Sequence, residues 1–112
     1  RELAHAEPGE SSQAIRERVV AARARQQRRY QNIDGLHWNG HLTARLVREF
    51  CKVTDEARRH LELTIDQLGL SARAWDRVLK VARTIADLDG GAEIIQLPHV
   101  AEAVQFRNLD RM

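Results

Sequence analysis

Residues 70–88 read LSARAWDRVLKVARTIADL, and this stretch decides the fold. Ser71 is placed to cap a helix, because its hydroxyl can accept a hydrogen bond from a backbone N–H of the first turn. Apolar residues then recur at three- and four-residue steps, which predicts one buried helical stripe. The stripe comprises Trp75, Val78, Leu79, Ala82, Ile85 and Ala86. Gly90 and Gly91 mark the point where this helix is expected to stop.

A second, basic stripe follows the same period on another face of this helix. It contains Arg73, Arg77 and Lys80, followed by Thr84. Arg73 falls in the first turn, where the helix dipole disfavours an exposed cation by a few tenths of a kcal/mol. Arg73 is therefore expected either to point into solvent or to meet an anionic ligand.

The remaining chain predicts an all-α bundle of about five helices. Residues 1–10 are expected to form a linker, and residues 11–112 one domain. The other helices are expected at about 11–30, 41–52, 55–68 and 98–107, with Thr54 as a cap and Gly69 as a stop. The inward-facing residues are expected to include Leu68, Ile94 and Ile95, and a loop over 31–40 is expected to be anchored by Leu36 and Trp38.

The first predicted helix is strongly basic, and two interpretations of its charge stay open. Arginines near a helix C-terminus suit the dipole, so the helix can be an ordinary solvated one. Alternatively, its basic side chains face nucleic-acid phosphates or a neighbouring subunit. The residues concerned are Arg16, Arg23, Arg25, Arg28 and Arg29.

Size and composition limit the function. The 112 residues are 43% hydrophobic and 30% charged with a formal net charge of +2, which fits one small globular domain. No apolar run is long enough for a bilayer, so no membrane contact is expected, and the single Cys51 fits a reducing cytoplasm. The chain opens at Arg1 without an initiator Met, which suggests a domain excised from a longer protein.

The sequence predicts no catalytic residues and no metal site. It contains neither a Gly-rich phosphate loop nor a strand ending in paired acids, so the domain is not expected to hydrolyse ATP alone. His37, His41 and Cys51 lack a fourth ligand, and Asn39 and Gly40 between the histidines argue against a helix there.

Four stretches resemble the C-terminal lid domain of magnesium-chelatase-like AAA+ ATPases, in particular the competence-associated ComM/YifB group. They are residues 70–88 together with GESSQAIRERV (9–19), ARARQQR (22–28) and HVAEAVQFRNLDR (99–111). The resemblance implies that Arg73 is the arginine called sensor 2, which reaches the nucleotide phosphates, and that Arg77 and Lys80 extend its basic face. It further implies ATP and magnesium in the full-length parent, with neither bound by this domain alone.

The same resemblance implies partners and a function. The partners would be a preceding AAA+ core domain, neighbouring subunits of a hexamer, and DNA. The parent would be a cytoplasmic helicase that drives branch migration during natural transformation. One alternative is the lid of a magnesium chelatase subunit that drives metal insertion into a porphyrin. Another is a free-standing helical DNA-binding module built on the basic first helix.

Overall fold

Helices form almost all of the regular structure in residues 10–110, the part of the chain that this computed structural model describes; for 107–110 it describes the backbone only. The helices are α1 (Ser12–Tyr30), α2 (Ala44–Phe50), α3 (Asp55–Leu68), α4 (Ala72–Leu88) and α5 (Leu97–Asp110), with a 3₁₀ turn at Asn39–His41. One parallel β-bridge joins Val53 to Ile95. The predicted all-α bundle is confirmed. Residues 1–9 of the predicted linker lie outside the described residues.

Side-chain caps fix where four of the helices begin. Hydroxyl oxygens accept hydrogen bonds from backbone N–H groups three residues ahead, at Ser11, Thr43, Thr54 and Ser71. Gly69 ends α3 in the left-handed conformation with φ +64°, and the next N–H, from Leu70, donates to the carbonyl of Ile65. The caps predicted at Thr54 and Ser71 and the stop at Gly69 are thus confirmed.

The core lies around α4, whose buried stripe packs against α5 and α1. Val78, Ala82 and Ile85 are buried as predicted, while Trp75 is half-buried at the edge of the core. Leu61 from α3 and Val100 from α5 complete the centre of the bundle. Burial of this apolar surface is the main term that stabilises the domain.

Three predicted inward positions are wrong. Ile94 lies in a bend and is exposed, whereas Ile95 forms the β-bridge with Val53 and is buried. Leu68 is the last residue of α3 and lies beyond the packed part of the helix. Trp38 is exposed, whereas the next residue, Asn39, is buried and Leu36 is in the core as predicted.

Among the described residues, the structure shows neither a reactive thiol, nor a metal site, nor a membrane-spanning helix. Burial raises the pKa of the Cys51 thiol to about 11, so the reactive thiolate is scarce near neutral pH. Within 10–110, no group of three His, Cys, Asp or Glu side chains is placed to hold a metal ion. Likewise, none of the described helices combines the length and apolarity of a membrane span.

Candidate functional site

Arg73 lies in the first turn of α4 with its side chain exposed to solvent. The turn is held by the Ser71 hydroxyl, which accepts a hydrogen bond from the Ala74 N–H over 3.3 Å. Ala74 is buried directly next to Arg73 in the chain, so the orientation of this turn is fixed by packing. The guanidinium of Arg73 is therefore presented outward from a rigid helix end.

The two other cations of the stripe follow Arg73 along the same face of α4. Arg77 is exposed and Lys80 is half-buried. The stripe ends at Thr84, whose hydroxyl accepts a hydrogen bond from the Asn39 side-chain amide over 3.0 Å. At 1.5 Å per residue, Arg73 and Lys80 lie about 10 Å apart along the axis. The structure thus places all three predicted nucleotide-binding residues on one helix face.

A cleft of about 290 Å³ opens beside the N-terminus of α4. It lies between α2, α3 and α4, and Trp75 and Ile65 supply partly buried apolar surface to it. Ser71 and Asp76 add polar groups at the same end of the helix. The end of α4 that presents Arg73 therefore also presents a concave, partly apolar surface.

The C-terminal end of α4 contains a second polar centre, which is buried. Asp87 is 0% exposed and Arg83 is 1% exposed. The Asp87 carboxylate accepts two hydrogen bonds from Arg29 of α1, at 2.6 and 3.1 Å, and one of its oxygens lies 3.3 Å from Arg83. The Asn39 amide also donates to Asp87 over 3.0 Å. One carboxylate thus forms ion pairs with two guanidiniums and accepts a hydrogen bond from one amide.

Further hydrogen bonds tie this centre to the surrounding chain. The Tyr30 hydroxyl donates to the Asn39 side-chain oxygen over 2.6 Å, and Gln26 accepts from the Asn39 backbone N–H over 2.9 Å. Arg83 donates to the carbonyls of Ala92 and Glu93, which fixes the segment after α4. The centre therefore connects α1, the 3₁₀ turn, α4 and the segment before α5.

The burial of this centre changes the proton affinity of its members. Burial lowers the pKa of Arg29, but the hydrogen bond and charge of Asp87 outweigh it, so the pKa lies above its ordinary value. For Arg83, burial prevails over the attraction of Asp87, and the pKa is lowered. Burial also raises the pKa of Tyr30, against the opposing effect of Arg29.

A groove of about 750 Å³ lies over this centre and collects five basic side chains. We call it the basic groove; its cations are Arg25, Arg28, Arg29, Lys52 and Arg83. Three of the five arginines singled out on α1 thus come together here. The other two, Arg16 and Arg23, are exposed elsewhere on α1 and do not line the groove.

Sequence reasoning missed Asp87, Arg83 and Asn39. The two α4 residues lie at the margin of its apolar stripe, where charged side chains are usually solvated. A usable signal existed in Gln26, a polar residue at an inward step of α1, because a buried amide requires a hydrogen-bonding partner. Its partner is the Asn39 backbone.

Gly90 and Gly91 offer a matched test of how Arg25 is held. Both have left-handed backbones, with φ +90° and +78°, but only at Gly91 would a Cβ overlap the side chain of Arg25. Gly90→Ala is expected to lower the free energy of unfolding by about 1–2 kcal/mol, the cost of a left-handed alanine. Gly91→Ala should lose about 1 kcal/mol more, because Arg25 must release the Asp87 carbonyl, to which it donates over 2.5 Å. Equal losses in urea unfolding would contradict this account of Arg25.

Comparison with known proteins identifies relatives that match most of this chain. A family model described as magnesium chelatase, subunit ChlI C-terminal, matches residues 9–107. The uncharacterized protein YifB of Escherichia coli K12 is 48% identical over 105 residues, which are 94% of this chain and 20% of that protein. The competence protein ComM of Haemophilus influenzae is 41% identical over 104 residues, 93% of this chain and 19% of that protein. The chain spans about a fifth of the length of these curated relatives.

Proposed function

This chain belongs to the magnesium chelatase subunit ChlI C-terminal family, and on that premise we propose that it is the lid of an AAA+ ATPase whose Arg73 contacts the nucleotide phosphates. The observation that supports this role is the exposed guanidinium in the first turn of a helix whose other face is buried. A cation at a helix N-terminus is electrostatically unfavourable by itself. A phosphate bound at Arg73 would make the local electrostatic energy favourable, because its negative charge attracts both the guanidinium and the helix end.

The geometry suits a residue that reports on phosphate. Because α4 is anchored along its length, movement of a phosphate at Arg73 would displace the whole bundle rather than one side chain. Arg77 and Lys80 continue the positive face and would strengthen attraction to the nucleotide. ATP and magnesium would be bound mainly by a preceding core domain of the same protein, and the lid would close over them.

For the parent protein we propose a DNA-linked motor. The support is the similarity to a protein named for competence, together with the basic surface of α1. In this scheme a cytoplasmic hexamer uses ATP to drive branch migration of DNA during natural transformation, and neighbouring subunits contact the lid. The family's name supports a second candidate, a chelatase subunit that drives metal insertion into a porphyrin.

Arg73→Ala in the longer protein is expected to lower kcat for ATP turnover at least about tenfold, because one preorganised donor to the transferred phosphate is lost. The circular dichroism spectrum and melting temperature should not change, since Arg73 is exposed. Arg59→Ala is the matched control, because Arg59 is also an exposed helical arginine but lies on α3. Turnover that is unchanged in Arg73→Ala would remove the nucleotide role.

The two candidate functions of the parent differ in what stimulates the ATPase. The motor role predicts that ATP turnover rises when single-stranded or branched DNA is added to the purified protein. The chelatase role predicts no response to DNA and a dependence on chelatase partner subunits and porphyrin. Stimulation by neither addition would exclude both assignments while leaving the Arg73 test valid.

A further inference from the structure

We propose that the basic groove is a phosphate-binding site that is separate from the surface around Arg73. Asp87, beneath the groove, follows Arg73 by 14 positions on α4, which corresponds to about 21 Å along the helix axis. The groove also contains none of the stripe residues Arg73, Arg77 and Lys80. This site therefore does not depend on the proposed nucleotide role of α4.

The charge of the groove favours an anion. Its lining has five cations, whereas the only acids there are Glu49 and Glu93. Asp87, behind the lining, offsets one further charge, which leaves an excess of two positive charges. Among the described side chains, Arg28 and Lys52 form no ion pair, and both are exposed at the groove. Two cations are thus available to a ligand without breaking an internal contact.

The cations are brought together by the fold and not by neighbouring positions in the sequence. Arg25, Arg28 and Arg29 come from the last two turns of α1, and Lys52 follows α2. Arg25 lies against Gly91, and Arg29 is held by Asp87. Side chains that are already fixed lose little conformational entropy when a ligand binds. Arg25 and Arg29 are therefore preorganised at the groove, beside the exposed Arg28 and Lys52.

Three features favour phosphate over a single carboxylate. Four of the five cations are arginines, and together they present more N–H donors than the two oxygens of one carboxylate can accept, which suits the more numerous oxygens of phosphate groups. The volume of about 750 Å³ lies within the range of roughly 300–1,000 Å³ found for small-ligand sites. In addition, the buried Nε of Arg83, on the floor of the groove, has no hydrogen-bond partner among the described residues. The buried polar centre around Asp87 therefore contains more N–H donors than its single carboxylate satisfies.

The test compares two double variants that remove the same number of charges. Arg28→Ala/Lys52→Ala removes the two exposed groove cations, and Arg45→Ala/Arg59→Ala removes two exposed cations outside it, on α2 and α3. Binding of a labelled single-stranded oligonucleotide to the 112-residue chain is measured by fluorescence anisotropy over a series of salt concentrations. The groove variant should bind at least about tenfold more weakly, with a salt slope reduced by about 1.4, the loss of two phosphate contacts. The control variant should bind like the unaltered chain.

Two competitors identify the source of the phosphate. Displacement of the oligonucleotide by inorganic pyrophosphate would support recognition of small free phosphates, and displacement only by unlabelled oligonucleotide would support recognition of a nucleic-acid backbone. Equal weakening by both double variants would overturn the proposal, since the effect would then be net charge alone. Equally tight binding of a poly-glutamate peptide would also overturn it, because the groove would then be a site for acidic protein segments. Unfolding of each variant by urea checks that the fold is retained.

Discussion

Replacing Asp87 by asparagine is expected to lower the free energy of unfolding by about 3–5 kcal/mol, because it leaves buried guanidiniums without their counter-charge. The substitution keeps the shape of the side chain, removes its charge and turns one acceptor oxygen into an N–H donor. Arg83 is 1% exposed and cannot regain water without local unfolding, while one of the two oxygens that accept hydrogen bonds from Arg29 is replaced by an N–H donor. A loss of this size is a large part of the 5–15 kcal/mol that is typical of a small domain.

Urea unfolding followed by circular dichroism measures this effect, with Asp66→Asn as the control. Asp66 is an exposed residue of α3, and its substitution should change stability by about 0.5 kcal/mol or less. A double-mutant cycle adds a second check. Arg29→Met should cost less in the Asp87→Asn background than in the unaltered chain, because the unpaired cation is then removed. Additive losses would show that the two residues do not act as a pair.

Leu61→Ala should destabilise the chain by about 2–5 kcal/mol, the usual cost of truncating a buried leucine. Leu61 is 0% exposed on α3, and its side chain belongs to the central core with residues of α4 and α5. The loss combines the apolar surface that is no longer buried with the cavity that the bundle cannot fill. A shift of the urea midpoint without a change in the m-value would identify it as a loss of stability in an intact fold.

Leu63→Ala is the matched control for this prediction. Leu63 lies two residues further along the same helix and is 58% exposed, so the same atoms are removed from solvent-facing surface. Its effect should be within about 0.5 kcal/mol of zero. Similar losses for the two leucines would mean that α3 packs with a different face toward the core.

The features that sequence predicts correctly depend on local physics. Thr54, Ser71 and Gly69 act within a single turn of helix, so their roles can be read from a few neighbouring residues. The apolar stripe of α4 is similarly local, because helical periodicity alone selects its buried face. These local signals were sufficient for the fold and for the exposed position of Arg73.

The buried charge centre could not be predicted in the same way. Whether Asp87 faces solvent or the interior depends on Arg29, which is 58 residues earlier in the chain, and on Asn39, which is 48 residues earlier. The sequence predicts Arg29 as a contact for nucleic acid or another subunit, but in the structure its guanidinium forms an ion pair with the buried Asp87. Composition and periodicity contain no information about such pairings at a distance.

The sharing of one carboxylate among several donors has a consequence for how this family can diverge. Asp87 is the common acceptor for Arg29, Asn39 and Arg83, and without it these donors lose their shared partner. A substitution of Asp87 alone therefore leaves a defect that no neighbour can repair. Across homologous sequences these four positions should be inherited as a set, and lineages that lose the acid should have lost its cationic partners as well.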